Sequence, residues 1–411
     1  MGIAACLLLC SVTFAKDYYV SRKGNDKNSG LSEDQAFRTI SKATSQAKAG
    51  DSVFVVSGKY RNEDFEIEDV RGTATNPIQI VASGEVTLRA GKKDPVITLE
   101  SCSHLRLEGF VIEGGSEGIE VEDADHCTIA RCVVSKAKDE GIKVKGRSSF
   151  NIIENCLIVD NGDEGIAVDL QRDDDILRVV HCTVAKNGDD GIDLDEGSIQ
   201  IGNCIIVFNK DDGIDIDVKG TSVAHKYNLV YGNRSKDFEN TSKDSTEFSS
   251  NPSFDSKNGY QLTASSPAID RARNWNKHPV TEDLTGAARP AGAANDLGCY
   301  EYGASGSGRN IYYVRVNGND GNSGRSKGQA WRTVKHAASR NLPPGSIIYV
   351  GAGTFNAGLN TYVNIQHSGT ADEPIKYIAD TNGKHTDDKG RVTLESDYWV
   401  ALHANGQQYV E

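Results

Sequence analysis

The chain has 411 residues, 25% of them charged, with a formal net charge of −13. That length builds a large core without staples and excludes a mini-protein. The negative charge is concentrated: 16 Asp and Glu against 4 Lys and Arg lie between Asp160 and Asp217, a face that repels nucleic-acid phosphate and anionic lipid and attracts cations or basic partners.

The chain opens on "MGIAACLLLCSVTFA", an apolar run ending in small residues, with Thr13 and Ala15 at the −3 and −1 positions of a signal-peptidase site. Residues 1–15 are read as a secretion leader, which makes the mature protein secreted, extracellular or attached at the cell surface. No later stretch reaches the roughly 18 apolar residues of a membrane span. Residues 16–250 form the main module. Its start, "DYYVSRKGNDKNSG", reads as strand and polar turn, followed by an amphipathic helix from Gln35 to Ala47 and the strand "DSVFVVSGKY". The helix is expected to cap one end of the strand-rich body of this module, because an open sheet end invites edge-to-edge association. "GNDKNSG" has the residues of a calcium loop, but Asx-turn chemistry accounts for it better.

A repeat then sets in. Gly118, Gly141, Gly165, Gly191 and Gly213 each precede Ile, at steps of 23, 24, 26 and 22 residues. After each comes an alternating apolar pair, as in Ile192 and Leu194, the mark of a short strand with one buried face. A unit of this length reads as strand, turn, strand, turn and cannot bury its apolar side alone, so units must stack. The fold class expected is all-β: a right-handed parallel β-helix, or solenoid, with about 4.8 Å between equivalent residues of successive coils. Aligned residues become ladders. Gly109, Cys132, Cys156, Cys182 and Cys204 stand nine residues before the glycines, and Asn161, Asn187 and Asn209 stand four before the last three. Stacked Cβ vectors run parallel and strain a bridge, so the cysteines are expected as buried free thiols. The asparagines suit tight turns and can bond to one another along the stack.

Residues 251–303 lose the period and gain loop residues, and are read as the closing region of the first module. Residues 304–310, "SGSGRN" with its preceding Ala, form a linker. From residue 311 the opening pattern returns in "YYVRVNGNDGNSG" and "PGSIIYVGAGTF". Residues 311–411 are therefore the N-terminal part of a second β-helix module, which stops where its own coils should start.

The opening "YYVSRKGNDKNSG" with "AGDSVFVVSGKY", the "DGI" coils, and "DLTGAARP" with "DLGCYEYG" together resemble the pectate-lyase-like right-handed β-helix superfamily, most nearly polysaccharide lyase family nine and related secreted bacterial proteins. The resemblance implies an acidic polysaccharide or cell-surface glycan as partner, calcium held by aspartates, and a lysine that takes the proton beside a uronate carboxylate before β-elimination.

On the coil strands the second and fourth residues after each glycine face outward. They form the columns Glu120, Lys143, Ala167, Asp193, Asp215 and Glu122, Lys145, Asp169, Asp195, Asp217. Turn residues Asp163, Glu164, Asp189, Asp190, Asp211 and Asp212 lie alongside. Stacked carboxylates repel by roughly 1 kcal/mol in water and more in a less polar groove. Calcium, which takes six to eight oxygens, is the natural neutraliser, and Asp169, Asp193, Asp195, Asp215 and Asp217 are its candidate ligands; a salt-screened acidic face is the alternative. Lys143 and Lys145 are the candidate bases, with ion pairing to acidic neighbours as their other role. Lys186, Lys210 and Lys219 lie nearby. "GDDGI" also resembles part of a polygalacturonase site, but that family's "GHG" and "RxK" companions are absent. Two functions remain: a calcium-dependent lyase of acidic polysaccharide, or a non-catalytic surface, adhesive or polysaccharide-binding module with structural calcium. A monomer is expected in either case.

Overall fold

The computed structural model describes residues 15–411 apart from 62–64, 92, 173–174, 219–221, 257–258, 276–278, 304–310, 323, 325–326, 328–329, 341, 343–345, 357–362, 366–373, 384, 396–401 and 404–411. The leader up to residue 14, the linker, Lys219 and the last residues of the second module thus lie outside the described residues.

Parallel strands stack coil upon coil, and each full coil carries three of them rather than two. One face runs through Leu105–Glu108, Thr128–Ala130, Asn151–Glu154, Ile176–Val180, Ser198–Gly202 and Val223–Lys226. A second runs through Val111–Gly114, Val133–Ser135, Leu157–Val159, Thr183–Ala185, Ile205–Val207 and Leu229–Tyr231. The third carries the "GI" strands, from Glu66–Glu68 through Ile97–Glu100, Ile119–Glu122, Ile142–Gly146, Ile166–Leu170, Ile192–Glu196 and Ile214–Ile216 to Phe238–Glu239. The corner between the first two faces is very short, so "CTIARCVVS" reads in sequence as one strand. Arg131, Asn155, His181, Asn203 and Tyr227 turn that corner, each with φ between 50° and 59°.

The alternating apolar residues of all three faces point inward. Ile142, Ile166, Ile192 and Ile214 stack on one another in register and are fully buried. Cys132, Cys156, Cys182 and Cys204 form the interior column and are free thiols, as are the other described cysteines. Phe110, not Gly109, heads that column: Val133 N donates to Phe110 O as Leu157 N does to Cys132 O, because the following turn is one residue shorter in the first unit. The closing segment packs against the outer side of the second face, where Leu157, Ala185, Ile205 and Leu229 meet Leu262, Ala268, Leu297 and Cys299. Arg289 is buried there against Glu301 at 3.1 Å.

The helix expected as a cap is shorter than the span from Gln35 to Ala47. A 3-10 turn covers Glu33–Gln35, Phe37 bridges to Val20, and the α-helix occupies only Ile40–Thr44. Asp26 explains the late start. Its carboxylate accepts from Arg38 N and Thr39 N at 2.8 and 3.0 Å, which holds the chain extended until Thr39 caps the helix through Lys42 N. Ile40 and Ala43 bury themselves in the core at that end. Asp320 repeats the arrangement on Arg332 N and Thr333 N before the helix Val334–Ser339. Asn25 and Asn319 each accept from the amide two residues on, so Asx turns account for "GNDKNSG" and "GNDGNSG" alike.

The second module contributes parallel strands Ile311–Val314, Ile347–Val350 and Lys376–Ala379 around a core with Trp331 and Ile348. Arg340 joins it to the first module, bonding Asp17 at 2.8 Å and lying 3.7 Å from the Phe54 ring centroid. No helix among the described residues is long and apolar enough to cross a membrane.

Candidate functional site

The turn that enters each third-face strand is fixed from inside by asparagine. The Asn161 side-chain amide donates to Asn187 Oδ1 at 2.9 Å, Asn187 to Asn209 at 3.0 Å, and Asn209 to Asn233 at 3.0 Å. Each of these oxygens also accepts the backbone N–H of the asparagine before it in the stack. Asn233 then donates to Asp237 Oδ1, which ends the ladder. Glycine is required beside it: a Cβ on Gly191 would sit 2.5 Å from Gly213 O and 2.6 Å from Asn209 Nδ2. With the turn locked, Asp189 and Asp190 sit half-buried between Asn187 and the strand Ile192–Glu196.

Asp193 stands directly opposite Asp215 on the next strand. Asp190 completes a group with them, the three offering oxygens that all lie within 4.8 Å of one another. Two further groups, Asp189 with Asp190 and Asp211, and Asp163 with Glu164 and Asp189, continue along the turn. Asp190 Oδ1 accepts the Asp212 amide at 2.6 Å, which orients the carboxylate. The five aspartates proposed as ligands from the sequence are thus only partly together. Asp193 and Asp215 share the cluster, whereas Asp169, Asp195 and Asp217 flank it at the far ends of their strands. The fourth-place column is also not straight: a bulge after Val168 pairs Asp169 with Glu196 and pushes Asp195 aside. Asn240 donates to both Asp215 and Asp217, at 2.9 and 2.6 Å. Asp190 lies in the turn, outside the strand alternation that marks Asp193 and Asp215; its signal in the sequence is the twice-written "DDGID". Asn240 had no sequence signal, since its coil lacks the "GI" pair.

The Pel9A-like, right handed beta helix region matches residues 18–265, well over half of the chain. The chain belongs to this family. A curated relative, the uncharacterized protein YwoF of Bacillus subtilis (strain 168), is 32% identical over 106 residues, which is 24% of this chain and 22% of that protein. The chain thus spans about a fifth of the length of that relative. Among solved structures, pectate lyase Pel9A is 15% identical with a TM-score of 0.49, covering 71% of this chain and 97% of its own. An alginate lyase from Paenibacillus sp. str. FPU-7 is 16% identical with a TM-score of 0.36, covering 90% of this chain and 95% of its own.

In this Pel9A-like helix, burial and mutual repulsion push the cluster's protons on. Asp193 is raised to about 8, first by burial and then by Asp195, Asp190, Glu164 and Asp215. Burial leads in raising Glu164 to about 7 and Asp190 to about 6, with Asp163 and Asp189 the respective largest acidic contributors. No Lys or Arg side chain pairs with Asp190, Asp193 or Asp215 among the described residues. A native state that keeps protons the unfolded chain has released gains stability at low pH. That gain is complete below the ordinary values of 3.8 and 4.5 and is lost as pH rises toward about 8. In chelator, therefore, the melting temperature contributed by this region falls between pH 4 and pH 8 (approximate bounds), and a cation held by these carboxylates would flatten the slope. A melting profile with the same slope with and without calcium would rule these groups out as calcium ligands.

The lysines lie two coils before Asp193, with Ala167 on the strand between. Lys143 Nζ is 2.6 Å from Glu140 Oε1, and Lys145 Nζ is 3.0 and 3.1 Å from Glu120 and Glu122. Burial opposes their charge, but these carboxylates outweigh it and raise both pKa values above the ordinary lysine value. Lys143 also reaches Asp195 through its field. Lys186 lies over the Tyr260 ring at 5.6 Å, on the side of the closing segment, and Lys210 is exposed.

Proposed function

We propose that this Pel9A-like helix is an exported, calcium-dependent protein of acidic polysaccharide, and that its reaction is β-elimination at a uronate. The observation that carries this is the cluster of Asp190, Asp193 and Asp215. Its donors are hard carboxylate oxygens, gathered on adjacent coils and lacking a basic partner, which is the donor chemistry calcium takes. Asp190, Asp193 and Asp215 would hold the ion, with Asp189 and Asp211 beside them. Calcium bound there supplies positive charge that neutralises a uronate carboxylate and acidifies the neighbouring C–H. Asp169, Asp195 and Asp217 surround that position with further negative charge and favour the cation.

Lys143 is the proposed base. Its field already reaches Asp195, and it must leave Glu140 and lose its proton before it can accept one from the sugar. Lys145, held by two glutamates, positions the chain of the substrate. The test is to incubate the full protein with polygalacturonate and with alginate, with calcium and then with chelator, and to follow unsaturated uronate ends. Product appears only with calcium, and Lys143→Ala lowers its rate by about 10²-fold or more, the usual contribution of a general base, while Lys145→Ala costs less. Calcium-dependent product at an unchanged rate in Lys143→Ala would remove that residue from the chemistry.

A second reading, a non-catalytic polysaccharide-binding or adhesive module, is favoured by one observation: both lysines are already engaged by carboxylates. Calcium-dependent retention on a polygalacturonate or alginate matrix with no unsaturated product on either would select it.

A further inference from the structure

Beyond the ends of the third-face strands, the chain turns onto the first face and builds a second feature. His104, His126 and Phe150 stack in one column, with ring centroids 4.7 and 5.0 Å apart. Phe150 ends the stack and is 55% exposed, the largest exposure among the large apolar side chains described. A groove of about 580 Å³ lies along it, lined by Asp123, Asp125, His126, Arg147, Phe150 and Arg172 among others. Arg147 follows the strand Ile142–Gly146, and Arg172 follows Ile166–Leu170. Both arginines are exposed, and neither guanidinium pairs with a carboxylate among the described residues. Asp123 and Asp125 each spend one oxygen on a backbone amide of the next coil, Arg147 N at 2.8 Å and Ser149 N at 2.9 Å.

An exposed flat ring, two guanidiniums without a carboxylate partner among the described residues, and the spare oxygens of Asp123 and Asp125 make a specific set, while the third aspartate of the lining, Asp175, is buried. The ring offers a face for the C–H side of a pyranose. The guanidiniums offer planar forks for a carboxylate. The spare oxygens accept hydroxyl protons. We propose that this groove is a second, calcium-independent binding site for a uronate residue of the same acidic polysaccharide, with Phe150 as stacking platform and Arg147 and Arg172 as carboxylate readers. It rests on the acidic-polysaccharide reading above for the identity of the ligand. Its place fits a chain laid over the third face: Lys145 and Asp169 stand on the two strands that lead directly into Arg147 and Arg172, so one polymer can cross the acidic cluster and turn the corner onto Phe150.

The experiment measures binding of a galacturonate oligosaccharide and of its methyl-esterified counterpart to the full chain by calorimetry in excess chelator, which silences the aspartate cluster. The acidic sugar binds in chelator. Phe150→Ala weakens it about tenfold, the double variant Arg147→Gln with Arg172→Gln by at least as much, and the methyl ester binds as weakly as that double variant. Neither set of changes alters the calcium-dependent melting shift, which belongs to Asp190, Asp193 and Asp215 and shows that the variants are folded. Binding in chelator that is absent, or indifferent to these substitutions, overturns the groove, as does equal binding of the methyl ester. Should calcium shift nothing while Phe150→Ala still abolishes sugar binding, the calcium reading fails and the groove stands.

Discussion

Asp193→Asn loses the calcium-dependent rise in melting temperature and, in chelator above about pH 8, is more stable than the wild type. Both halves of this result come from one carboxylate. Asp193 faces Asp215 in register, shares the close-packed oxygen group with Asp190, and is raised to about 8 by burial and its acidic neighbours. At a calcium concentration 100 times the dissociation constant, binding adds about 2.7 kcal/mol to the wild type. Removing one of three clustered carboxylates takes most of that away. In chelator the sign reverses, because the neutral amide keeps the shape of the side chain and deletes a charge that repels four others, each such contact worth roughly 1 kcal/mol in water. Product formation from a uronate polymer falls with the calcium affinity. A residue with a merely structural role would lower stability in both media, so calorimetric scans of the two proteins with and without chelator separate the cases. Loss of stability in chelator would sink the assignment of Asp193 as a ligand.

Much of the scaffold was legible because stacking forces identical demands on identical positions. Gly141, Gly165, Gly191 and Gly213 must make room for the next coil's carbonyl, and their "GI" pairs gave the register that the strands adopt. The asparagine and cysteine columns were legible for the same reason. What escaped is where a coil departs from the average. The corner at Arg131 and its equivalents consumes a left-handed residue inside an apolar run, so two strands looked like one. The bulge after Val168 breaks the alternation that placed Asp169, Asp195 and Asp217 in one line. The candidate site was half legible. Alternation found Asp193 and Asp215, but Asp190 joins them from the turn, and a turn residue's direction is set by the hydrogen bond from Asp212 N rather than by any periodicity. Asn233 and Asp237 extend the ladder past the last "GI" unit, where no glycine marks the column. The composition of Gln35 to Ala47 allows a longer helix than forms, because Asp26, twelve residues before Arg38, holds Arg38 and Thr39 out of it.

The turn that carries Asp190 is as strong as the ladder beneath it, and Asn187→Ala is the substitution expected to cost most. Asn187 is fully buried. Its Oδ1 accepts both the backbone N–H of Asn161 at 3.2 Å and the Asn161 side-chain amide at 2.9 Å. Its own amide donates to Asn209 Oδ1 at 3.0 Å and to Ile158 O at 3.4 Å. Alanine leaves two donors of Asn161 without an acceptor in a place water does not reach, and each orphaned group costs about 1–3 kcal/mol. The sum is about 3 kcal/mol or more, read as a lowered urea midpoint with an unchanged slope. Asn187→Asp restores an acceptor for Asn161 but sets a carboxylate oxygen against Asn209 Oδ1, and burying that charge keeps the cost high. Calcium affinity falls along with stability, because Asp189 and Asp190 come soon after Asn187 in the same turn and lose their anchor. The two readouts are separable by a substitution at the ladder's other end: Asn233→Ala orphans Asn209 in the same way but lies two coils beyond the turn of Asp189 and Asp190. It therefore lowers the urea midpoint comparably while leaving calcium affinity closer to that of the wild type. Equal calcium affinity in Asn187→Ala and the wild type would show that the turn holds its aspartates without the ladder.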